Sequence, residues 1–452
     1  STKEEAIKNQ NDLALILSNH LFSTKAKHSN TVFSPASIFA ALTLAASGPG
    51  GSSLAAAILS FLRSSSIDEL NTVFSEVVSV VFADHSANGG PKISSVNGVW
   101  MEKSLPIDSS AFKDLFENIF KARFDLVDFR SKLNAWASNH SNGLIKDLLP
   151  RGSITELTEV VYGNALYFKG EWEVSFDKSE TKDGEFHLLN GTSVSVPFMS
   201  SNKKQYIKAY DGFKVLRIPY RQGGEDTKRQ GIAANRSFPY LQGGDVTSGS
   251  FPYLHGSDVT NRSFPYLQDG VVTSGSFPYL HGFGDNKHGG FSYGHGFGED
   301  TKRQVGDVTN GNGFGDETKR GSFSMYFYLP DKKDGLDDLV KTMASTSGFL
   351  DGHVPRFKES VRQFRIPKFK IGDGLSGREL GFNSLSLYHK ACVEIDEEGT
   401  EAAAATFVMG IGCIPRYVEF VADHPFLFLI REDKTGTVLF VGQIFDPSIK
   451  SS

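Results

Sequence analysis

The chain has 452 residues, of which 39% are hydrophobic and 22% charged, enough apolar material for a large soluble core. Its 47 basic and 52 acidic residues leave a formal charge of −5, so the balance gives no case for nucleic acid or an anionic membrane as partner. No apolar run reaches the roughly 18 residues of a membrane span, and Cys392 and Cys413 alone exclude a disulfide framework or a cysteine-ligated metal site.

Ser1 to Gln10 are polar and charged, without the apolar run of a secretory signal, which sets the expectation of a cytoplasmic or nuclear protein. Ile7, Leu13, Leu17 and Leu21 then recur near helical spacing. Ser34-Pro35-Ala36-Ser37 reads as a helix start, with Ser34 able to cap and Pro35 tolerated in the first turn. Ala111 to Phe120 is a further predicted helix. Val160-Val-Tyr and Ala165-Leu-Tyr-Phe read as strands, as do Phe364-Arg-Ile-Pro-Lys-Phe-Lys-Ile and Val438-Leu-Phe-Val-Gly. Helices lead and strands dominate the carboxyl-terminal half, an α+β pattern rather than a regular alternation.

One stretch, residues 223–321, is unlike the rest. Arg236-Ser-Phe-Pro-Tyr-Leu-Gln recurs, with small changes, from Gly249, Arg262 and Gly275, at a spacing of 13. Gly224-Glu-Asp-Thr-Lys-Arg-Gln returns at Gly298 and, altered, at Gly315. Such units match no solenoid period and carry too little apolar surface to offset the entropy of ordering them. The expectation is a disordered low-complexity insertion between a first part, 1–222, and a second part, 322–452, of one domain. Strand formers on both sides, Phe213 to Tyr220 and Ser322 to Leu329, place it at the tip of a β-hairpin. Loop-closure entropy grows only logarithmically with length, so the fold tolerates it.

Several motifs lack the context that would make them chemical. Gly290-Phe-Ser-Tyr-Gly294 matches a hydrolase elbow but sits inside the repeats, with no strand before it. Gly372-Asp-Gly-Leu-Ser-Gly377 matches a dinucleotide fingerprint, yet no βαβ unit follows. No histidine pair has zinc-protease spacing, and His281, His288 and His295 belong to the repeats. The acceptor sequons at Asn139, Asn190, Asn235 and Asn261 are read as silent without a secretory signal.

The informative segment is Glu397-Glu-Gly-Thr-Glu-Ala402-Ala-Ala-Ala405. Four alanines give a helix no amphipathic face, but small side chains can enter a crowded sheet on either side, and Gly399 adds torsional freedom before them. Here the chain resembles a serpin, and most closely a plant serpin. The matching motifs are Val32-Phe-Ser-Pro-Ala-Ser-Ile38, Asn164-Ala-Leu-Tyr-Phe-Lys-Gly170 with Trp172, Phe186-His-Leu-Leu, His389-Lys-Ala391, the Glu397–Ala405 segment, and Phe420-Val-Ala-Asp-His-Pro-Phe-Leu-Phe428.

The resemblance implies a serpin fold of three β-sheets and about nine helices, with an exposed reactive-centre loop over about 399–419. It implies a monomeric inhibitor and not an enzyme, with no catalytic residue, cofactor or metal of its own. Its partner would be a target serine protease, or by cross-inhibition a cysteine protease. The loop is bait: the protease forms an acyl-enzyme, and the cut loop enters the central sheet as a strand before the ester can hydrolyse. By motif, Gly399, Thr400, Glu401, Ala402, Ala403, Ala404 and Ala405 form the hinge. Glu397 anchors its base near Trp172, and Ser34, Ser37, Asn164 and His389 form the polar cluster where the central strands part. Counting from the hinge puts the scissile bond at Cys413–Ile414; counting back from Phe420 puts it at Met409–Gly410. Gly412, Pro415 and Arg416 complete the bait.

Three departures from the family pattern adjoin that sheet. About seven residues are missing between Lys132 and Leu133, about twenty between Phe382 and Leu387, and the loop is about four residues short. A diverged serpin that binds or regulates without trapping is therefore the second reading. By analogy with the family, an extracellular location is the alternative to the cytoplasm or nucleus.

Overall fold

The computed structural model describes residues 3–77, 90–119, 122–129, 154–155, 157–222, 322–399 and 417–450. Helix α1 (Lys3–Thr24) opens the chain, and its heptad-like row of Ile7, Ala14, Leu17 and Leu21 is buried. The short strand β1 (Thr31–Phe33) leads to Ser34, whose hydroxyl accepts from the Ser37 N–H at 3.1 Å and caps α2 (Pro35–Ser47), with Pro35 in its first turn. From Pro35 to Ala45 every residue of α2 is buried, so it is a core helix and not an amphipathic surface one. Helices α3 (Gly51–Phe61) and α4 (Ile67–Glu76) follow, the latter capped by Ser66.

The helix expected over Ala111–Phe120 is shorter and less regular. α5 (Ser109–Lys113), capped by Asp108, passes into wider π-type turns over Asp114–Ile119. Two later helices, α6 (Leu336–Ser345) and α7 (Phe349–Gly352), bring the α-helices to seven among the described residues. None is long and apolar enough to cross a membrane.

The central sheet contains β2 (Lys92–Glu102), β3 (Arg123–Val127), β4 (Val160–Lys169), β11 (Phe369–Ser376) and β12 (Leu387–Ile395), in the order β11-β12-β4-β2-β3. β4 joins the two apolar runs read separately in the sequence, and eight of its ten residues are buried because both faces are covered. β11 and β12 are an antiparallel hairpin paired from Phe369↔Ile395 to Ser376↔Tyr388. Its connection includes one 3₁₀ turn (Gly377–Leu380) and Gly381 in the left-handed region at φ +93°, where a β-carbon would be strained. The shortness noted between Phe382 and Leu387 thus falls within the ten-residue connection, 377–386, between two strands.

The other strands are β5 (Lys182–His187), β6 (Ser193–Ser200), β7 (Gln205–Tyr210), β8 (Phe213–Pro219), β9 (Phe323–Pro330), β10 (Lys358–Pro367), β13 (Tyr417–Val421), β14 (Phe426–Glu432) and β15 (Val438–Ile444). With β1 they form one ten-stranded sheet, nine strands on a continuous path and β13 branching from β10, not two further separate sheets, because β10 pairs with β7 at Lys358–Glu359 and with β6 at Arg365–Pro367. β9, β14 and β15 are buried along their whole length and make the heart of the core.

The run Phe364–Ile371, read as one strand, is split between the two sheets. Pro367 has no N–H to continue a ladder, and the Lys368 N–H instead bonds the Pro197 carbonyl at 3.1 Å. β8 and β9 pair antiparallel from Phe213↔Pro330 to Pro219↔Ser324, which is the hairpin inferred from their composition. The expectation of disorder for 223–321 lies outside the described residues.

Candidate functional site

β4 and β12 are neighbours in the middle of the central sheet and run parallel, in register from Leu387↔Tyr162 to Val393↔Phe168. Parallel pairing is the weaker ladder per residue. Two clusters of side chains reinforce it, one halfway along and one at the end.

Halfway along, His389 stands opposite Asn164 in the register, and both are about 1% exposed. The Ser34 backbone N–H donates to His389 Nε2 at 3.0 Å, so that nitrogen carries no proton. Nδ1 must then hold it and donate to Asn164 Oδ1, 2.6 Å away. Asn164 Nδ2 in turn donates to the Ser37 carbonyl at 2.7 Å and the Ser37 hydroxyl at 3.1 Å. Ser34, Ser37, Asn164 and His389, expected as one polar cluster, are thus brought together, and the N-terminus of α2 is tied to both strands. With Nε2 accepting from Ser34 and Nδ1 donating to Asn164, the network is favourable only while His389 is neutral.

Burial pushes the His389 pKa down to about 3, and the positive Lys25 adds to the effect. Lys25 follows α1 and bonds Asp373, Glu379 and the Gly374 carbonyl of the β11 hairpin. An imidazole whose folded pKa lies below its unfolded value contributes stability that is complete above about pH 6.5 and lost as pH falls towards 3. Between pH 7.5 and 5.0 this one group should weaken the fold by about 2 kcal/mol, at 1.36 kcal/mol per unit. Urea unfolding of the native chain and of His389→Gln at the two pH values checks it. The difference between the pH values should shrink by that amount in the variant, and an unchanged difference would rule the assignment out.

At the end of the sheet, the chain leaving β12 is clasped by the segment that follows β4. Trp172 Nε1–H donates to the Asp396 carbonyl at 2.7 Å, and the Trp172 and Phe176 N–H groups donate to the carbonyls of Glu398 and Glu397, each at 3.0 Å. The indole stacks on Tyr220 at 4.6 Å between centroids and meets Phe176 edge-on. The Glu397 carboxylate, with the residue 5% exposed, accepts from the Thr181 hydroxyl at 2.7 Å and pairs with Lys368 Nζ at 2.8 Å. Burial alone would raise its pKa; the bonds from Lys368 and Thr181 outweigh burial and hold it below the usual carboxylate range. Trp172 therefore grips the backbone on either side of Glu397, while the carboxylate itself is held by Thr181 and Lys368, neither of which was anticipated.

Gly399 forms a bridge with Trp172. A β-carbon there would lie 2.7 Å from the Trp172 carbonyl oxygen and 2.8 Å from the Ser175 backbone. Its φ is not in the left-handed region, so in this conformation the requirement for glycine comes from close backbone approach. The hinge residues Thr400, Glu401 and Ala402–Ala405, and the bait residues Met409, Gly410, Cys413 and Ile414, lie outside the described residues. Among the described residues no three His, Cys, Asp or Glu side chains are placed to hold a metal ion.

Comparison with known proteins agrees with this arrangement. The serpin (serine protease inhibitor) family model matches residues 8–227 and 374–447. Serpin-Z1 of Arabidopsis thaliana is 50% identical over 98% of this chain and 96% of its own length. A relative described as probable non-inhibitory serpin-Z5, from the same plant, is 47% identical over 98% of this chain and 85% of its own. Among solved structures, Arabidopsis AtSerpin1 in its native stressed conformation superposes with a TM-score of 0.70 at 37% identity, covering 99% of this chain and all of that one. On the motifs, the fold and these relatives together, the chain belongs to the serpin family.

Proposed function

We propose that the chain is a suicide-substrate inhibitor of serine proteases, acting by insertion of residues 400 onward between β4 and β12. The observation that carries this reading is the direction of the strands. A chain that leaves the end of β12, turns past Trp172 and re-enters the sheet would run antiparallel to β12 and, because β4 is parallel to β12, antiparallel to β4 as well. One weaker parallel ladder is replaced by two antiparallel ones. About ten new hydrogen bonds, each worth roughly 0.5–1.5 kcal/mol net, supply on the order of 10 kcal/mol. The uninserted fold is then a kinetic trap that cleavage of the loop releases. Ala402–Ala405 suit this path, since both faces of β4 are covered and an entering residue has room only for a small side chain.

Cys413–Ile414 and Met409–Gly410 remain the two assignments of the scissile bond. A cysteine before the bond suits small or apolar specificity pockets, whereas cleavage after Arg416 suits a trypsin-like enzyme. The test is incubation with trypsin, chymotrypsin, elastase and papain, followed by denaturing gels and mass measurement of the released carboxyl-terminal peptide. A complex with the summed mass of protein and protease that survives denaturant is the expected result, and the peptide mass identifies the bond. Cleavage without any such complex, for all four enzymes, would instead support the second reading. That reading, a serpin that binds without trapping, is favoured by the relative described as a probable non-inhibitory serpin, 47% identical over 98% of this chain.

A further inference from the structure

The loop's carboxyl-terminal end joins a sheet region where three exposed cations form no ion pair, although Asp351 and Glu359 line the same cavity as Lys208. β10 pairs with β7 at one end and with β13 beside it, Lys358 opposite Tyr206 and Ser360 opposite Tyr417. Strand alternation therefore puts Tyr206, Lys208, Lys358 and Tyr417 on one face, and Arg362, at the ladder irregularity between Val361 and Gln363, reaches the Tyr417 ring. Lys358 Nζ lies 5.3 Å from the Tyr206 ring centroid, Lys208 Nζ lies 5.2 Å from that of Tyr210, and the Arg362 guanidinium carbon lies 5.7 Å from that of Tyr417. All three cations are exposed. Their contacts are aromatic rings, and among the described residues none of them is paired with a carboxylate. Glu359 and Glu419 are the acidic side chains of the same strands and bond none of the three. Tyr417, 51% exposed, adds apolar surface beside the charges, and Phe357, 71% exposed, lines the cavity that Lys208 shares with Asp351 and Glu359. A protein of net charge −5 concentrating unpaired cations and bare rings in one region has a surface suited to an acidic partner.

Position selects the partner. Tyr417 is the first described residue after the bait. From Ile414 to Tyr417 is at most about 11 Å of extended chain, and from Gly410 at most about 25 Å. A serine protease domain has a radius of gyration of about 17 Å, so an enzyme holding either bond in its cleft must bring its rim onto this face or within a Debye length of it, about 8 Å in physiological salt. We infer that Lys208, Lys358 and Arg362, with Phe357 and Tyr417, form an exosite for a target protease whose cleft is rimmed by acidic side chains. The exosite sets which proteases reach the loop and how fast; it rests on the loop being bait, though not on its insertion afterwards. Docking on it is non-covalent and needs no step beyond encounter.

The probes are anionic and cationic trypsin, which share a cleft chemistry and differ in surface charge, each with its active-site serine replaced by alanine so that binding is measured without cleavage. At low ionic strength the native chain should bind the anionic form at least tenfold more tightly than does the triple variant Lys208→Glu, Lys358→Glu, Arg362→Glu. The neutral triple variant, with glutamine at each position, should fall between them. The preference should fade to within about threefold at 0.5 M salt, and the cationic form should show none. All three side chains are exposed, so an unchanged thermal midpoint in the glutamine variant separates lost docking from lost fold. Equal affinities for native chain and variants, or no binding of the anionic form, overturns the inference. So does loss of retention on a sulfated-dextran column with protease binding intact, because the face would then serve a polyanion. Active trypsin tests the inhibitor reading separately: a binding preference with cleavage and no covalent complex keeps the exosite and rejects the trap, and the converse rejects only the exosite.

Discussion

Exchange of Glu397 for lysine should unfasten the end of the central sheet and lower stability by about 3–5 kcal/mol, the usual result of leaving a buried charge without its partner. The carboxylate is the common acceptor for Thr181 and Lys368, and it fixes the turn by which the chain leaves β12. Lysine there would set two ammonium groups side by side and strip Thr181 of its acceptor. Lys368 is about one-third exposed, so solvent screens part of the repulsion and the lower end of the range is expected. In a chain of this size the thermal midpoint should fall by roughly 3–7 °C. Glu397→Gln keeps an acceptor for Thr181 and should lose about 1–2 kcal/mol. The swap Glu397→Lys with Lys368→Glu restores opposite charges and should recover part of the loss, a recovery that a purely steric role for Glu397 would not produce. Since the clasp also closes the entrance between β4 and β12, the single lysine variant should lose inhibitory capacity on mild warming faster than the native chain. Scanning calorimetry and residual inhibition after incubation check both effects.

Under the proposed mechanism, Thr400→Arg should turn trapping of the protease into plain cleavage of the loop. Residue 400 follows the Gly399 bridge to Trp172, and entry into the sheet there passes Phe168 and Ile395, both buried. A guanidinium drawn between those strands would be desolvated with no carboxylate to meet it, a loss of several kcal/mol set against the first hydrogen bonds of insertion. Insertion then starts too slowly to outrun hydrolysis of the acyl-enzyme. The rate of attack on the loop should be unchanged, and the trapped fraction should fall at least tenfold on a denaturing gel. Trapping equal to that of the native chain would remove Thr400 from the hinge.

What could be read ahead of the structure was local. Ser34 and Pro35 mark the start of α2 because a cap and a first-turn proline act within three residues. The paired strands around 223–321 were legible from composition on each side. The polar cluster came from motif order, and the structure added its logic: the Ser34 N–H sets the tautomer of His389, and that tautomer lets the ring bond Asn164.

Long-range partners were not legible. Lys368 and Thr181 come from different segments, and Lys368 reaches Glu397 because β10 ends at Pro367 and the chain crosses to the central sheet. The same crossing split a run that looked like one strand, since β-propensity and alternation are alike on either side of the proline. Gly399 was singled out, but in this conformation its reason lies in the backbone of Trp172 and Ser175, more than 220 residues earlier, which no local rule can see. The cationic face beside Tyr417 is likewise assembled from β7, β10 and β13, and each of its lysines and arginines is unremarkable in its own stretch.

Insertion between β4 and β12 is most directly tested by the melting temperature of the loop-cleaved protein beside that of the intact one, with a single cut between residues 405 and 416 verified by mass. A strand gained in the central sheet, at on the order of 10 kcal/mol, should raise the midpoint by about 10–15 °C. A nicked protein that melts within a degree or two of the intact one would contradict insertion and leave a serpin scaffold that cleavage does not change.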